Sequence, residues 1–402
     1  MRKWLSAAAV MVLCLALVIG VACGGGGGEE EEGVTELKWG IGIPMVGVYG
    51  AAVGLAADYA FHLGAEKVGV FTVGGEQYRW KLIVEDNLWS AAGGTSSAMK
   101  FLYEYDVDFM HQAGADPGVA AQSICEEIGM ILDIAAASRE HFGPDKPHCF
   151  QVAASWSLHA PVFLHWVTEN YPEVERLAIS MMDDVTGESI ADAIEEAAEY
   201  YGLEIVAKEM TPSVGVVEYA HIATKLMSRN PDLVIADTQS IAMMHERGYE
   251  GLASDWYPTR ADTEQQGWDL LQGVLSWIPY PYGEWEEKYP EATALIDEFE
   301  DRWGFEMHPA AFWASNVVYV LTGVLQAAGT VDDTDRIIES MESGALYHTT
   351  MGDLRYGGEA IDGVGHMIVW PTPIVEIVGE DYHLIAEYTP DETEEIASRV
   401  YE

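Results

Sequence analysis

The sequence predicts an α/β fold in two lobes, each a mostly parallel sheet flanked by helices. Three observations predict it. Short apolar runs alternate with amphipathic stretches from Leu37 onward, those runs end repeatedly in small or turn-forming residues, and residues 36–402 are too many for one compact core. Such alternation is the mark of parallel strands joined by crossover helices, and a chain of this length divides into domains.

Strands are predicted at 37–43, 80–85, 107–111, 130–134, 177–181, 204–208, 233–236 and 274–278, with helices between them. A helix over 51–63 sets Leu55, Ala56, Tyr59, Ala60 and Leu63 on one face, and one over 188–201 does the same with Ile190, Ala193, Ile194 and Ala197. That spacing is a core-packing stripe rather than a site. The loops at 44–50, 114–118, 135–138 and 183–187 follow strands. Open α/β sheets bind ligands at the carboxyl ends of their strands, so these loops are the candidate pocket walls.

At the N-terminus, Arg2 and Lys3 precede an apolar run over 4–22. Charge followed by hydrophobicity is the order of a secretion signal. The run is about long enough to span a bilayer, yet it ends at Val21-Ala22-Cys23-Gly24. Two readings stand: a signal peptide over 1–22 with lipid on Cys23, or a retained membrane helix. The pattern resembles a bacterial lipobox, except that Gly20 stands where such signals carry a large aliphatic residue. Residues 23–35, glycines and then acids, read as a solvated tether. Cys125 and Cys149 are the pair left in the folded part, either disulfide-bonded or two buried free thiols, since spacing does not fix geometry.

The formal net charge is −46. Such a surface repels nucleic acid and excludes a polybasic mode of membrane binding. Enzyme and metal signatures are missing: 24–28 lacks the lysine of a phosphate loop, no Gly-x-Ser-x-Gly elbow occurs, and His245-Glu246 lacks a second histidine at zinc spacing. Pairs such as Asp183-Asp184 arise by chance among 66 acids. No cofactor, metal or catalytic residue is assigned.

Five segments carry a resemblance. They are Trp39-Gly40-Ile41-Gly42-Ile43-Pro44-Met45-Val46-Gly47 with Tyr49-Gly50; Val73-Gly74-Gly75 through Lys81-Leu82-Ile83-Val84-Glu85-Asp86; residues 129–138; Asn230-Pro231-Asp232-Leu233-Val234-Ile235; and Met351-Gly352-Asp353-Leu354-Arg355-Tyr356. In order and spacing they resemble the leucine/isoleucine/valine-type solute-binding proteins of ABC importers, a type I periplasmic binding protein family. The resemblance implies two sheets joined by three crossovers, closing on a solute about a hinge. It places one lobe at 36–154 plus 279–362 and the other at 155–278 plus 363–402. It implies an extracytoplasmic, lipid-anchored monomer that captures a small organic solute (amino-acid-like, amide or aromatic acid) for ABC permease and ATPase subunits. An extracellular sensor subunit and a secreted hydrolase are the alternatives.

Carried over by position, Tyr49 would stack on the ligand, and Ala137 with Ser138 would supply a backbone acceptor and a hydroxyl. Two departures stand out. Ala115 and Asp116 occupy the loop where the family sets serine hydroxyls against a carboxylate, and Thr186 replaces a common tyrosine. Asp116, Asp184 or Asp237, with Thr238 beside it, can pair with an amine; Asp before Pro or Thr is also ordinary turn and cap chemistry. Arg139 can clamp a carboxylate or simply pair with a surface acid. Trp156 and Trp256 follow a crossover and a strand, where pocket walls are expected, whereas Trp166 and Trp313 have core-like helical spacing.

Overall fold

The computed structural model describes residues 33–47, 50–136, 138–212, 217–283 and 287–402. The predicted leader, Cys23, Tyr49 and Ala137 lie outside the described residues. Two sheets carry the fold. The first contains β1 (Val34–Ile43), β2 (Phe71–Val73), β3 (Glu76–Asp86), β4 (Phe109–Ala113), β5 (Leu132–Ala135) and β6 (Cys149–Phe150), in the order β2-β3-β1-β4-β5-β6. Only the β2–β3 hairpin is antiparallel. The second contains β7 (Arg176–Met182), β8 (Glu204–Thr211), β9 (Leu233–Ala236), β10 (Leu252–Asp255), β11 (Leu275–Ser276), β12 (Thr372–Val378) and β13 (Asp381–Tyr388), in the order β13-β12-β11-β10-β9-β7-β8. Here β12 and β13 are the antiparallel additions.

With the antiparallel strands set aside, both sheets read 2-1-3-4-5. That order reverses between β1 and β4 in one sheet and between β7 and β9 in the other, which opens a crevice at the strand tips. The helices that cover the sheets are α1 (Leu55–Val68), α2 (Ala91–Lys100), α3 (Ala115–Ile128), α4 (Trp156–Asn170), α5 (Val185–Tyr201), α6 (Tyr219–Met227), α7 (Thr238–Glu246), α8 (Arg260–Gln266), α9 (Pro290–Trp303), α10 (Pro309–Ala328), α11 (Thr334–Glu342) and α12 (Pro390–Tyr401). The chain passes between the sheets three times: after β6, after β11 and before β12. Polar contacts pin the passages. Asp133 Oδ1 accepts from the Val152 N–H at 2.9 Å and Trp370 Nε1 donates to the Val152 carbonyl at 2.6 Å.

Helix α10 is long and apolar enough to cross a membrane, yet it is the buried central helix of the first layer, packed along α1. Close approach is possible because Gly64 has no side chain: a Cβ there would lie 2.8 Å from the Ser315 carbonyl oxygen. Two strands are displaced from the sequence expectation. Val107 N–H still bonds back to Phe101 and Met130 N–H to Cys125, so both segments finish a helix before the strand begins at Phe109 and Leu132. Strand β1 starts at Val34, inside the predicted tether, because Val34 pairs with Gln77 of β3. Of the two readings of the cysteine pair, the structure has the second: Cys125 and Cys149 are free, buried thiols. Cys125 contacts the Met110 sulfur at 3.8 Å, and Cys149 accepts from Gln122 at 3.1 Å. Burial pushes the Cys125 thiol up to about 12 and that of Cys149 well above its usual range, so both stay protonated.

Candidate functional site

A cavity of about 210 Å³ lies where the strand tips of the two sheets meet. From the first sheet it takes Ala113 and Gly114 at the end of β4, Ala135 and Ala136 at the end of β5, and Trp89 beyond β3. From the second it takes Met182 and Thr186 beyond β7 and Trp256 and Tyr257 beyond β10, while Trp156, His308 and Trp313 come from the starts of α4 and α10. Three larger hollows, of about 320, 520 and 450 Å³, lie away from those strand tips. The first is rimmed by Arg260, Glu300 and Glu306, the second sits at the amino ends of β9 and β10, and the third lies at the polar turn of Thr330 and Asp332.

Local chemistry explains how the rings reach the cavity. Asn87 is fully buried, and its amide donates to the carbonyls of Gly42 at 3.0 Å and Ala113 at 2.8 Å. Its Oδ1 accepts from the Trp89 N–H at 3.0 Å. This hub ties β1 to β4 and holds Leu88 and Trp89 in the left-handed region, at φ 55° and 48°. Non-glycine residues rarely stay there unless their surroundings impose it. Gly114 gives the ring room, since a Cβ at that position would lie 3.2 Å from it. In the second sheet, Asp255 Oδ1 accepts from the Tyr257 N–H at 2.8 Å and bends the chain so that Trp256 and Tyr257 face the crevice.

The rings brace one another. Trp156 meets Trp256 edge to face at 5.8 Å and Tyr257 at 6.1 Å, and Tyr257 in turn meets Trp313 at 5.9 Å. Behind them Trp156 packs on Trp277, itself stacked on Phe163 at 5.8 Å. Each such pair adds to the burial of its rings and fixes their orientation. The polar groups are few. Ala310 N–H donates to His308 Nδ1 at 3.2 Å, which leaves the ring proton on Nε2. Burial pushes His308 down to about 4, so it is neutral at pH 7. The indole N–H groups of Trp156 and Trp256 are buried with no partner among the described residues.

Contacts across the crevice close it. Trp89 Nε1 donates to Asp184 Oδ2 at 3.2 Å, Ala115 N–H to Thr186 Oγ1 at 3.3 Å, and Val185 N–H to Asp116 Oδ2 at 3.4 Å. Asp184 also caps α5, accepting from Gly187 N–H at 2.8 Å. Burial raises the Asp184 carboxyl, against the lowering hydrogen bonds from Gly187 and Trp89; the neighbouring Asp116 adds to the rise.

Of the residues singled out in the sequence, Trp156, Thr186 and Trp256 come together in the cavity wall, with Ala115 and Asp116 beside it. Ser138 lies elsewhere, in a short 3-10 turn where its hydroxyl and N–H meet His141 Nδ1 at 3.0 Å. Asp237 caps α7 through the Ser240 N–H at 2.8 Å, and Thr238 donates to Asp255. Arg139 is occupied by Glu196 and Asp362. Sequence reasoning missed Trp89, Tyr257, His308 and Trp313 as wall residues; the local signals were Asn87 and Asp255, polar residues at strand ends. Among the described residues, no group of three His, Cys, Asp or Glu side chains is arranged to hold a metal ion.

The family model for periplasmic binding proteins matches residues 36–378. No curated protein matches the chain in sequence. Several solved structures share its fold. A periplasmic binding protein from Burkholderia mallei superposes with a TM-score of 0.76 at 12% identity, covering 89% of this chain and 96% of that one. An ABC-transporter solute binding protein from R. palustris in complex with benzoate gives 0.74 at 15%, covering 88% and 97%. A leucine binding protein from Thermotoga maritima gives 0.71 at 15%, covering 88% and 99%. With a match over most of its length and two sheets that converge on one crevice, the chain belongs to the periplasmic binding protein family, in its two-lobed type I form.

Proposed function

We propose that this protein is the extracytoplasmic solute receptor of an ABC importer, and that it captures a small single-ring aromatic molecule by closing its lobes. The observation that carries this reading is the ring-lined cavity at the junction of the sheets. A void of about 150 Å³ lined by apolar side chains already accommodates benzene. At about 210 Å³ the cavity has room for one substituted ring and little more. Trp156, Trp256, Tyr257 and Trp313 offer it ring faces and edges, the general form of an aromatic-lined small-molecule site. The complex of the R. palustris neighbour with benzoate is consistent with this choice.

In this reading the lobes divide as the sequence suggests, 36–154 with 279–362 and 155–278 with 363–402. Cys23 carries the lipid that holds the monomer at the membrane face, and permease and ATPase subunits complete the importer. The test is a thermal-shift and calorimetric screen of the 24–402 chain with single-ring aromatics and with leucine. Aromatic binders should raise the melting temperature, because a ligand held only by the folded state stabilises it. Binding of leucine with no aromatic hit would refute the aromatic assignment. Lipidation is checked separately, by metabolic labelling of wild type against Cys23→Ala.

A further inference from the structure

We infer that the cavity selects against anions, so that the solute is an aromatic molecule whose polar group is uncharged or cationic rather than a carboxylate. This deepens the proposed function and rests on it. No lysine or arginine lines the cavity among the described residues, and residues 48, 49, 137, 213–216 and 284–286 contain neither. Arg139, the basic residue nearest in sequence to the wall residues Ala135 and Ala136, is held by Glu196 at 2.9 Å, Asp362 at 3.1 Å and the Ile361 carbonyl at 2.9 Å. A carboxylate in the cavity would be a buried charge without a counter-ion.

At two helix starts beside the cavity the backbone donors are also taken. Helices α3 and α5 point their N-termini toward each other across the crevice, and helix N-termini are ready anion sites. Here the protein supplies its own anions. Asp116 accepts from Val185 N–H at the start of α5, Asp184 accepts from Gly187 N–H, and Thr186 takes the Ala115 N–H at the start of α3. A second carboxylate arriving there would meet two fixed ones. Among side chains the remaining donors are neutral: the Nε2–H of His308 and the indole N–H groups of Trp156 and Trp256, the two indoles having no partner among the described residues. They suit a carbonyl, amide or hydroxyl oxygen. Negative charge behind a wall of ring faces also suits a cationic group.

The experiment is calorimetric titration with three probes of matched shape, benzoate, benzamide and benzylamine, at pH 7.5 and low salt. Benzamide or benzylamine should bind at least about tenfold more tightly than benzoate, a difference of about 1.4 kcal/mol. Benzoate as the tightest of the three overturns the inference while leaving the aromatic receptor intact. If all three fail to bind, the aromatic reading falls and this inference falls with it. The double variant Asp116→Asn/Asp184→Asn keeps a cap acceptor at both positions and removes their charge, so it should narrow the benzamide-to-benzoate ratio several-fold. An unchanged ratio would show that these carboxylates do not set the charge preference.

Discussion

Trp156 concentrates the site at the level of single residues: it is 4% exposed and touches Trp256, Tyr257 and Trp277. Trp156→Ala should weaken the best aromatic ligand about 10- to 100-fold, as expected for a central buried aromatic anchor, with Trp156→Phe in between; calorimetry measures both. Asp255, 3% exposed, supports the same wall from behind. Burial, opposed by hydrogen bonds from Thr238 and Tyr257, pushes its carboxyl up to about 7. The folded state therefore keeps a proton that the unfolded chain has released above about pH 4. The stability tied to this group is full below that pH and is lost as pH rises through about 7. Asp255→Asn should flatten the decline between about pH 4 and 7 relative to wild type in denaturant titrations; parallel pH profiles would contradict it. Trp156 and Trp256 were legible because they follow a crossover and a strand, and Thr186 through the family resemblance. Trp89 and Tyr257 were not, because side-chain hydrogen bonds to Asn87 and Asp255 aim them.

At the scale of elements, the helices begin as their sequences dictate. Asp184 and Asp237 accept from the third residue beyond them, at 2.8 Å in both cases. Replacing either by Ala should cost about 1 kcal/mol of stability in urea titrations. The two then part company. Asp184 also receives Trp89 Nε1 across the crevice, whereas Asp237 bonds only within its own helix start and to its own neighbours. Asp184→Ala should therefore also speed ligand release, and Asp237→Ala should leave the off-rate unchanged; stopped-flow tryptophan fluorescence separates them. The eight predicted strands fall within a few residues of observed ones and β9 coincides with its predicted span, whereas β2, β6, β12 and β13 had no predicted counterpart. The displaced starts of β4 and β5 record helix-terminal hydrogen bonds that an apolar pattern does not encode.

Over the whole molecule, if the lobes close as proposed, the contacts across the crevice set how readily it opens. Arg139 joins Glu196 of α5 to Asp362, and its guanidinium also lies 4.5 Å from the centre of the Tyr401 ring. Burial pushes Asp362 up to about 6 despite the arginine. The Arg139–Glu196 pair across the crevice is half-exposed, and such pairs contribute about 0–1 kcal/mol. Arg139→Gln should accordingly weaken ligand affinity by a factor of about 5 at most. Small-angle scattering should show a larger radius of gyration for the ligand-free variant than for wild type, and the same radius for both when ligand is saturating. Equal radii without ligand would remove Arg139 from the closing contacts.

By itself the sequence determined the class of fold, the alternation of strands and helices, the order of the motifs and the placement of several wall residues. These follow from periodicity, turn chemistry and spacing, which act over a few residues at a time. Only the tertiary structure decided that Asp116 and Asp184 are both spent on the start of α5, that Cys125 and Cys149 are buried free thiols, and that Trp89, Tyr257, His308 and Trp313 share one cavity with Trp156. Those outcomes depend on which strand tips the two sheets bring face to face, a relation between residues far apart in the chain that no local pattern records.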